Sequence, residues 1–148
     1  MWTLLVAAAC AVAPDVSAQA RARVGTVHAP PGTDAETRAA LSRSLERHLA
    51  HAKLDDSLKP YQLSPSLVQL RRYVESPSKQ VKLVCVVDLA LMDAQGVLVA
   101  SVRGNVTTPS SERREAIDAA AHAVVSRLPA ALQALGASDK KREQVAQR

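Results

Sequence analysis

The residue pattern predicts an α+β fold: two helices packed on one face of a four-stranded, mostly antiparallel sheet, in the order β-α-β-β-β-α. Three observations carry that expectation. Two segments place apolar side chains at spacings of three and four, the period of a helix with one buried face. They are Leu41, Leu45, Leu49 and Ala52 in the first, and Ala116, Ile117, Ala120, Ala121, Val124 and Leu128 in the second. Residues 81–92 alternate instead, with Val81, Leu83, Cys85, Val87, Leu89 and Leu91 on one face, as a strand requires. Asp93-Ala94-Gln95-Gly96 then supplies a hairpin connection, Gly96 suiting a left-handed position, into a second β pattern over residues 97–107.

Each element has a local reason. Residues 21–28 read as a first strand, closed by Ala29-Pro30-Pro31-Gly32, where two prolines and a glycine force a turn. Thr33-Asp34-Ala35-Glu36 is a capping-box signature and opens the first helix with Thr33 as cap. Asp55-Asp56 and Lys59-Pro60 end it. Residues 67–74 are read as a strand bracketed by Ser64-Pro65 and Ser76-Pro77. In the hairpin, Leu98, Ala100, Val102, Gly104 and Val106 face one way, and Ser101, Arg103, Asn105 and Thr107 the other. Pro109-Ser110-Ser111-Glu112 opens the second helix. Pro129 is expected to kink or restart it, and Gly136 to stop it.

The start of the chain has a different character. Residues 2–13, WTLLVAAACAVA, are apolar and uncharged. That is shorter than the roughly 20 residues of a membrane span but suits the apolar region of a secretory signal, about 7–15 residues. Val16-Ser17-Ala18 follows with small residues for cleavage, although no Lys or Arg precedes the run. Three parts are therefore expected: a signal segment, 1–18; one α+β domain, 19–136; and a polar, disordered tail, 137–148. The implied location is periplasmic or secreted. The alternative is a lipid anchor in the envelope through Cys10, since Ala7-Ala8-Ala9-Cys10 is a degenerate lipobox.

Composition narrows the function classes. The chain has no Phe, one Trp and two Tyr, so its core is built from Val, Leu and Ala. Its charge of +5 rises to +6 if residues 1–18 are lost, because only Asp15 goes with them. That favours anionic partners in general, but the bases are spread along the chain. The element order, the signal segment and the hairpin VDLALMDAQGVLVASVRG (87–104) together resemble the small envelope domains of the lipopolysaccharide-assembly lipoprotein type. More loosely, they resemble the N-terminal domain of TolB-like proteins. The resemblance implies an envelope protein of this α+β type.

No residue is assigned a catalytic, cofactor-binding or metal-binding role, and no cofactor is expected. His48 and His51 lie three apart on the first helix, yet no acid or Cys has an obvious claim to complete a metal site, and His122 has no evident partner. There is no nucleophile elbow and no phosphate-binding glycine loop. Asp88 is expected to pair with Arg103 across the hairpin. Cys85, between two valines, reads as a small buried hydrophobe.

The expected function is a non-enzymatic exported accessory or binding protein of the envelope. Its partner would be an envelope protein or an anionic envelope component, recruited through an exposed sheet edge. One alternative is an enzyme assembled from His28, Asp88, Arg103 and His122, although no small-molecule substrate is evident. Another is a binder of nucleic acid or an anionic surface through Arg38, Arg43, Arg47, Arg71, Arg72, Arg113 and Arg114. Export argues against nucleic acid. Nothing in the residues specifies an oligomeric state.

Overall fold

The computed structural model describes residues 24–109 and 111–146. The signal and cleavage reading of residues 1–18 lies outside them. Helix α1 spans Ala35–Ala52, a single turn α2 spans Asp55–Leu58, and α3 spans Arg113–Ala146. Strands β1 (Gln62–Glu75), β2 (Gln80–Met92) and β3 (Leu98–Thr108) form one antiparallel sheet in the order β1-β2-β3. The class is α+β as expected, with three strands and three helices among the described residues instead of four and two.

The missing strand has a physical cause. Residues 24–28 do run beside β1, parallel to it, but touch it only at two isolated bridges, Val24 to Leu63 and His28 to Ser66. The amide of Gly25 donates to the Leu63 carbonyl at 2.8 Å, that of His28 to Pro65 at 2.9 Å, and that of Leu67 to His28 at 2.7 Å. Leu63, Pro65 and Leu67 thus turn their backbone groups toward this segment. Pro65 has no N–H to give, so the ladder breaks between the two bridges. Ser64-Pro65 therefore lies inside β1, and does not bracket it.

Helix α1 is capped one residue later than the capping box implied. Asp34 accepts from the Thr37 amide at 2.6 Å, while the Thr33 hydroxyl donates to the Pro30 carbonyl at 2.8 Å. That bond holds the Asp34 carboxyl below the usual carboxylate range. The helix ends on Lys53 in the left-handed conformation, φ 52°.

Helix α3 neither restarts at Pro129 nor stops at Gly136. Ala131 and Leu132, just past the proline, pack against the core and hold the turn that has lost a hydrogen bond. Beyond Gly136 the sequence is rich in Ala, Lys, Arg, Glu and Gln, all good helix formers, and residues 137–146 are helical where an irregular tail was expected.

The core lies between the sheet and the helices. Leu41, Leu45 and Leu49 of α1 and Leu58 of α2 are buried there, with Ile117, Val124 and Leu128 of α3. They meet Leu63 and Leu67 of β1, Val102 of β3, and Leu83, Cys85, Val87, Leu89 and Leu91 of β2, the face that alternation predicts. Glu36 meets Arg114 and His48 meets His122 further along, so α1 and α3 run side by side in the same direction. A bulge at Val68 keeps Leu67 and Leu70 on the same face and turns Val68 outward, 44% exposed.

Candidate functional site

With both long helices on one face, the other face of the sheet is left without a covering element among the described residues. Strand register arranges it in transverse rows. One row runs His28, Ser66, Asp88, Arg103 across the N-terminal segment and the three strands. The next runs Gln69, Val86, Asn105, and then Arg71, Val84, Thr107. The Asp88–Arg103 pair forms as expected and is bidentate: Nε and Nη2 of Arg103 each donate to one Asp88 oxygen at 2.7 Å. Both side chains reach solvent, so the pair contributes roughly 0–1 kcal/mol to stability. It sits at a register position that the buried alternation of β2 and the turn at residues 93–96 already set.

Three of the four residues of the enzyme alternative therefore share one row, while His122 lies in the helix layer behind the sheet. The row is flat and solvated. Both Asp88 oxygens are already engaged by Arg103, which leaves no convergent acid, base and nucleophile there.

The outer edge of β3 is the second feature. β3 has a neighbour on one side only among the described strands. Its outward Arg103 carbonyl accepts from Nη1 of Arg127 at 2.5 Å, so α3 reaches around to occupy one position on this edge. By the two-residue period, the backbone groups of Ser101, Asn105 and Thr107 lie along the same edge.

The histidines regroup. His51 Nδ1 bonds to the Arg47 carbonyl of its own helix at 2.6 Å, so the His48–His51 spacing builds nothing. His48 turns instead to α3, with Nε2 2.9 Å from Asp118 and its ring edge-on to His122 at 5.2 Å between centroids. Arg47 also donates to Asp118. Burial raises the Asp118 pKa, but the bonds from His48, Arg47 and Ser44 outweigh it and the carboxyl lies below its ordinary value. His122 thus has the partner that its own sequence neighbourhood did not reveal. Among the described residues no three His, Cys, Asp or Glu are placed to hold a metal ion. Cys85 is fully buried, and burial pushes its thiol up to about 11, far from a reactive thiolate at neutral pH.

The arginines of the anionic-surface alternative do not converge as a set. Arg113 and Arg114 pair with Asp34 and Glu36 across an open groove of about 320 Å³ between the starts of α1 and α3. Arg47 is held by Asp118, and Arg38 and Arg43 stand apart on α1. Arg71 and Arg72 are different. They lie near the end of β1, where the β1–β2 hairpin folds Lys79 and Lys82 back toward them. Reading bases by their place along the chain missed this group. The signal that could have shown it is Ser76-Pro77-Ser78-Lys79, a turn motif between two β runs.

Neither a protein-family model nor a curated protein sequence matches this chain. Among solved structures it is similar to a provisionally assigned lipoprotein of Caulobacter crescentus CB15. Identity is 20%, coverage is 75% of this chain and 91% of that one, and the TM-score is 0.44. It is also similar to a minor lipoprotein of Acinetobacter baumannii, with 15% identity, coverage of 74% and 92%, and a TM-score of 0.47. No helix among the described residues is long and apolar enough to cross a membrane.

Proposed function

We propose that this protein is a non-enzymatic, exported accessory of the cell envelope that binds another macromolecule through its sheet. The observation that supports binding over catalysis is the state of the open face. Its central carboxylate, Asp88, is fully engaged by Arg103, and the neighbouring rows are Gln69, Val86 and Asn105, then Arg71, Val84 and Thr107, with Val86 itself buried. A flat face bounded by the β3 edge suits addition of a partner's strand, in which main-chain bonds give affinity and alternate side chains give selectivity.

Export rests on residues 1–18, with removal after Ala18 and a periplasmic or secreted product, or lipid attachment at Cys10 as the second route. A role of the lipopolysaccharide-assembly lipoprotein type is the particular form of this reading that the element order and the hairpin of residues 87–104 support.

The test is fractionation of cells making the full chain, followed by mass spectrometry of its N-terminus. The expected result is an envelope or periplasmic protein that begins at Gln19 or at a lipidated Cys10. Full-length protein confined to the cytoplasm overturns the reading.

A further inference from the structure

The far end of the sheet is built unlike the rest. β3 stops opposite Leu83, so β1 beyond Arg72 and β2 before Leu83 continue as a two-stranded arm closed by a turn over residues 76–79. Such a ribbon is marginal in water without a third strand or a covering helix. Its apolar side chains are nevertheless turned out on both faces. Tyr73 is 40% exposed on the side shared with Arg71 and Lys82, and Val74 is 59% exposed on the side shared with Arg72.

Charge is concentrated on the same arm. Residues 71–82 hold four bases, Arg71, Arg72, Lys79 and Lys82, against one acid, Glu75, which Lys82 neutralises at 2.6 Å. Arg71, Arg72 and Lys79 meet no carboxylate among the described residues. This short segment carries +3, more than half of the chain's +5.

We infer that the β1–β2 arm docks on an anionic phospholipid bilayer, with its cations at the phosphates and Tyr73 and Val74 in the interfacial zone. The occupant follows from chemistry. A protein or nucleic-acid partner would lie against one face of the ribbon, whereas a lipid interface wets both and accepts an aromatic with a polar tip, a small aliphatic and snorkelling bases together. The inference goes beyond the accessory role proposed above and is tested apart from it: fractionation decides export, and purified protein with vesicles decides docking.

The experiment places an environment-sensitive fluorophore in the turn of the full chain through Ser78→Cys, with Cys10→Ser removing the competing thiol; buried Cys85 stays unlabelled at neutral pH. The probe should move to a blue-shifted, brighter emission with vesicles of equal parts phosphatidylglycerol and phosphatidylcholine. It should not respond to phosphatidylcholine alone, which also controls for contact made by the apolar N-terminal residues.

The response should vanish between about 0.1 M and about 1 M salt, as the screening length falls from about 10 to about 3 Å. Arg71→Gln with Lys79→Gly removes two cations, each worth about fivefold in partitioning, so vesicle affinity should fall roughly 25-fold. Lys79 has φ 55°, a conformation glycine adopts freely, so the pair should fold. Arg38→Gln with Arg43→Gln removes the same charge from α1, which is not part of the arm, and should cost no more than about fivefold, the worth of a single docked cation. An equal loss in the two pairs overturns the inference, as does an equal response to neutral vesicles. A response to duplex DNA as strong as that to anionic vesicles would mean a general anion patch, and the bilayer reading falls.

Discussion

Two residues show how closely single positions are constrained. A Cβ added at Gly104 would lie 2.5 Å from the Ala120 carbonyl oxygen and 2.6 Å from Val124 Cγ2, because α3 rests directly on β3 there. Neither the helix backbone nor a buried valine can yield cheaply. Gly104→Ala should therefore destabilise the fold by about 2–3 kcal/mol, seen as a lowered urea midpoint. An unchanged midpoint would mean that α3 does not sit on β3 at this distance.

Cys85 makes its own prediction in alkali. Its folded value of about 11 lies above the 9.0 of an unburied thiol, so the folded state favours the neutral form. That contribution is fully present below pH 9 and is lost as pH rises through about 11, to a total of roughly 2–3 kcal/mol. Stability measured against pH should fall across that window in the native chain and stay flatter in Cys85→Ala. Parallel curves would place the thiol in water.

The elements record a contest between local preference and tertiary contact. β2 follows its alternation because both neighbours and the helix layer agree with it. α3 carries a proline that local rules would make a break, and contact with the core beyond it holds the helix together. Pro129 is itself exposed, so its ring is not needed for packing. Pro129→Ala should stabilise the protein by about 1–3 kcal/mol, restoring one hydrogen bond without loss of buried area. A lower thermal midpoint in that variant would show that the ring is part of the packing after all. β1 is the opposite case: Pro65 sits inside the strand because its missing donor falls on the side facing the N-terminal segment, which leaves the β1–β2 ladder intact. Local rules placed Ser64-Pro65 outside the strand, since they do not know which side of β1 is paired.

At the scale of the molecule, α1 and α3 are joined at the surface by the Asp118 cluster. The Asp118 carboxyl lies below its ordinary value, so its contribution is present above about pH 3.8 and lost as pH falls through the lower folded value. Asp118→Asn should cost about 0.5–1 kcal/mol at pH 7, the group being partly exposed and screened. The gap between variant and native chain should close as pH falls through that lowered folded value, where the native carboxyl also becomes neutral. A gap that persists in acid would assign the effect to packing. The same scale separates the two regions proposed for binding. The flat face and β3 edge lie beside the three-stranded part of the sheet, and the cationic arm extends from its end, so one molecule can hold a partner and a surface at once.

Sequence alone determined the α+β class, both long helices, the buried face of β2, the hairpin after it and the Asp88–Arg103 pair. Each depends on spacing within one segment or across one tight turn. Tertiary structure alone decided the strand count, the His48–Asp118–His122 grouping, the continuity of α3 and the gathering of Arg71, Arg72, Lys79 and Lys82. These depend on which backbone groups and side chains meet after distant segments have packed, and periodicity along a chain carries no record of that.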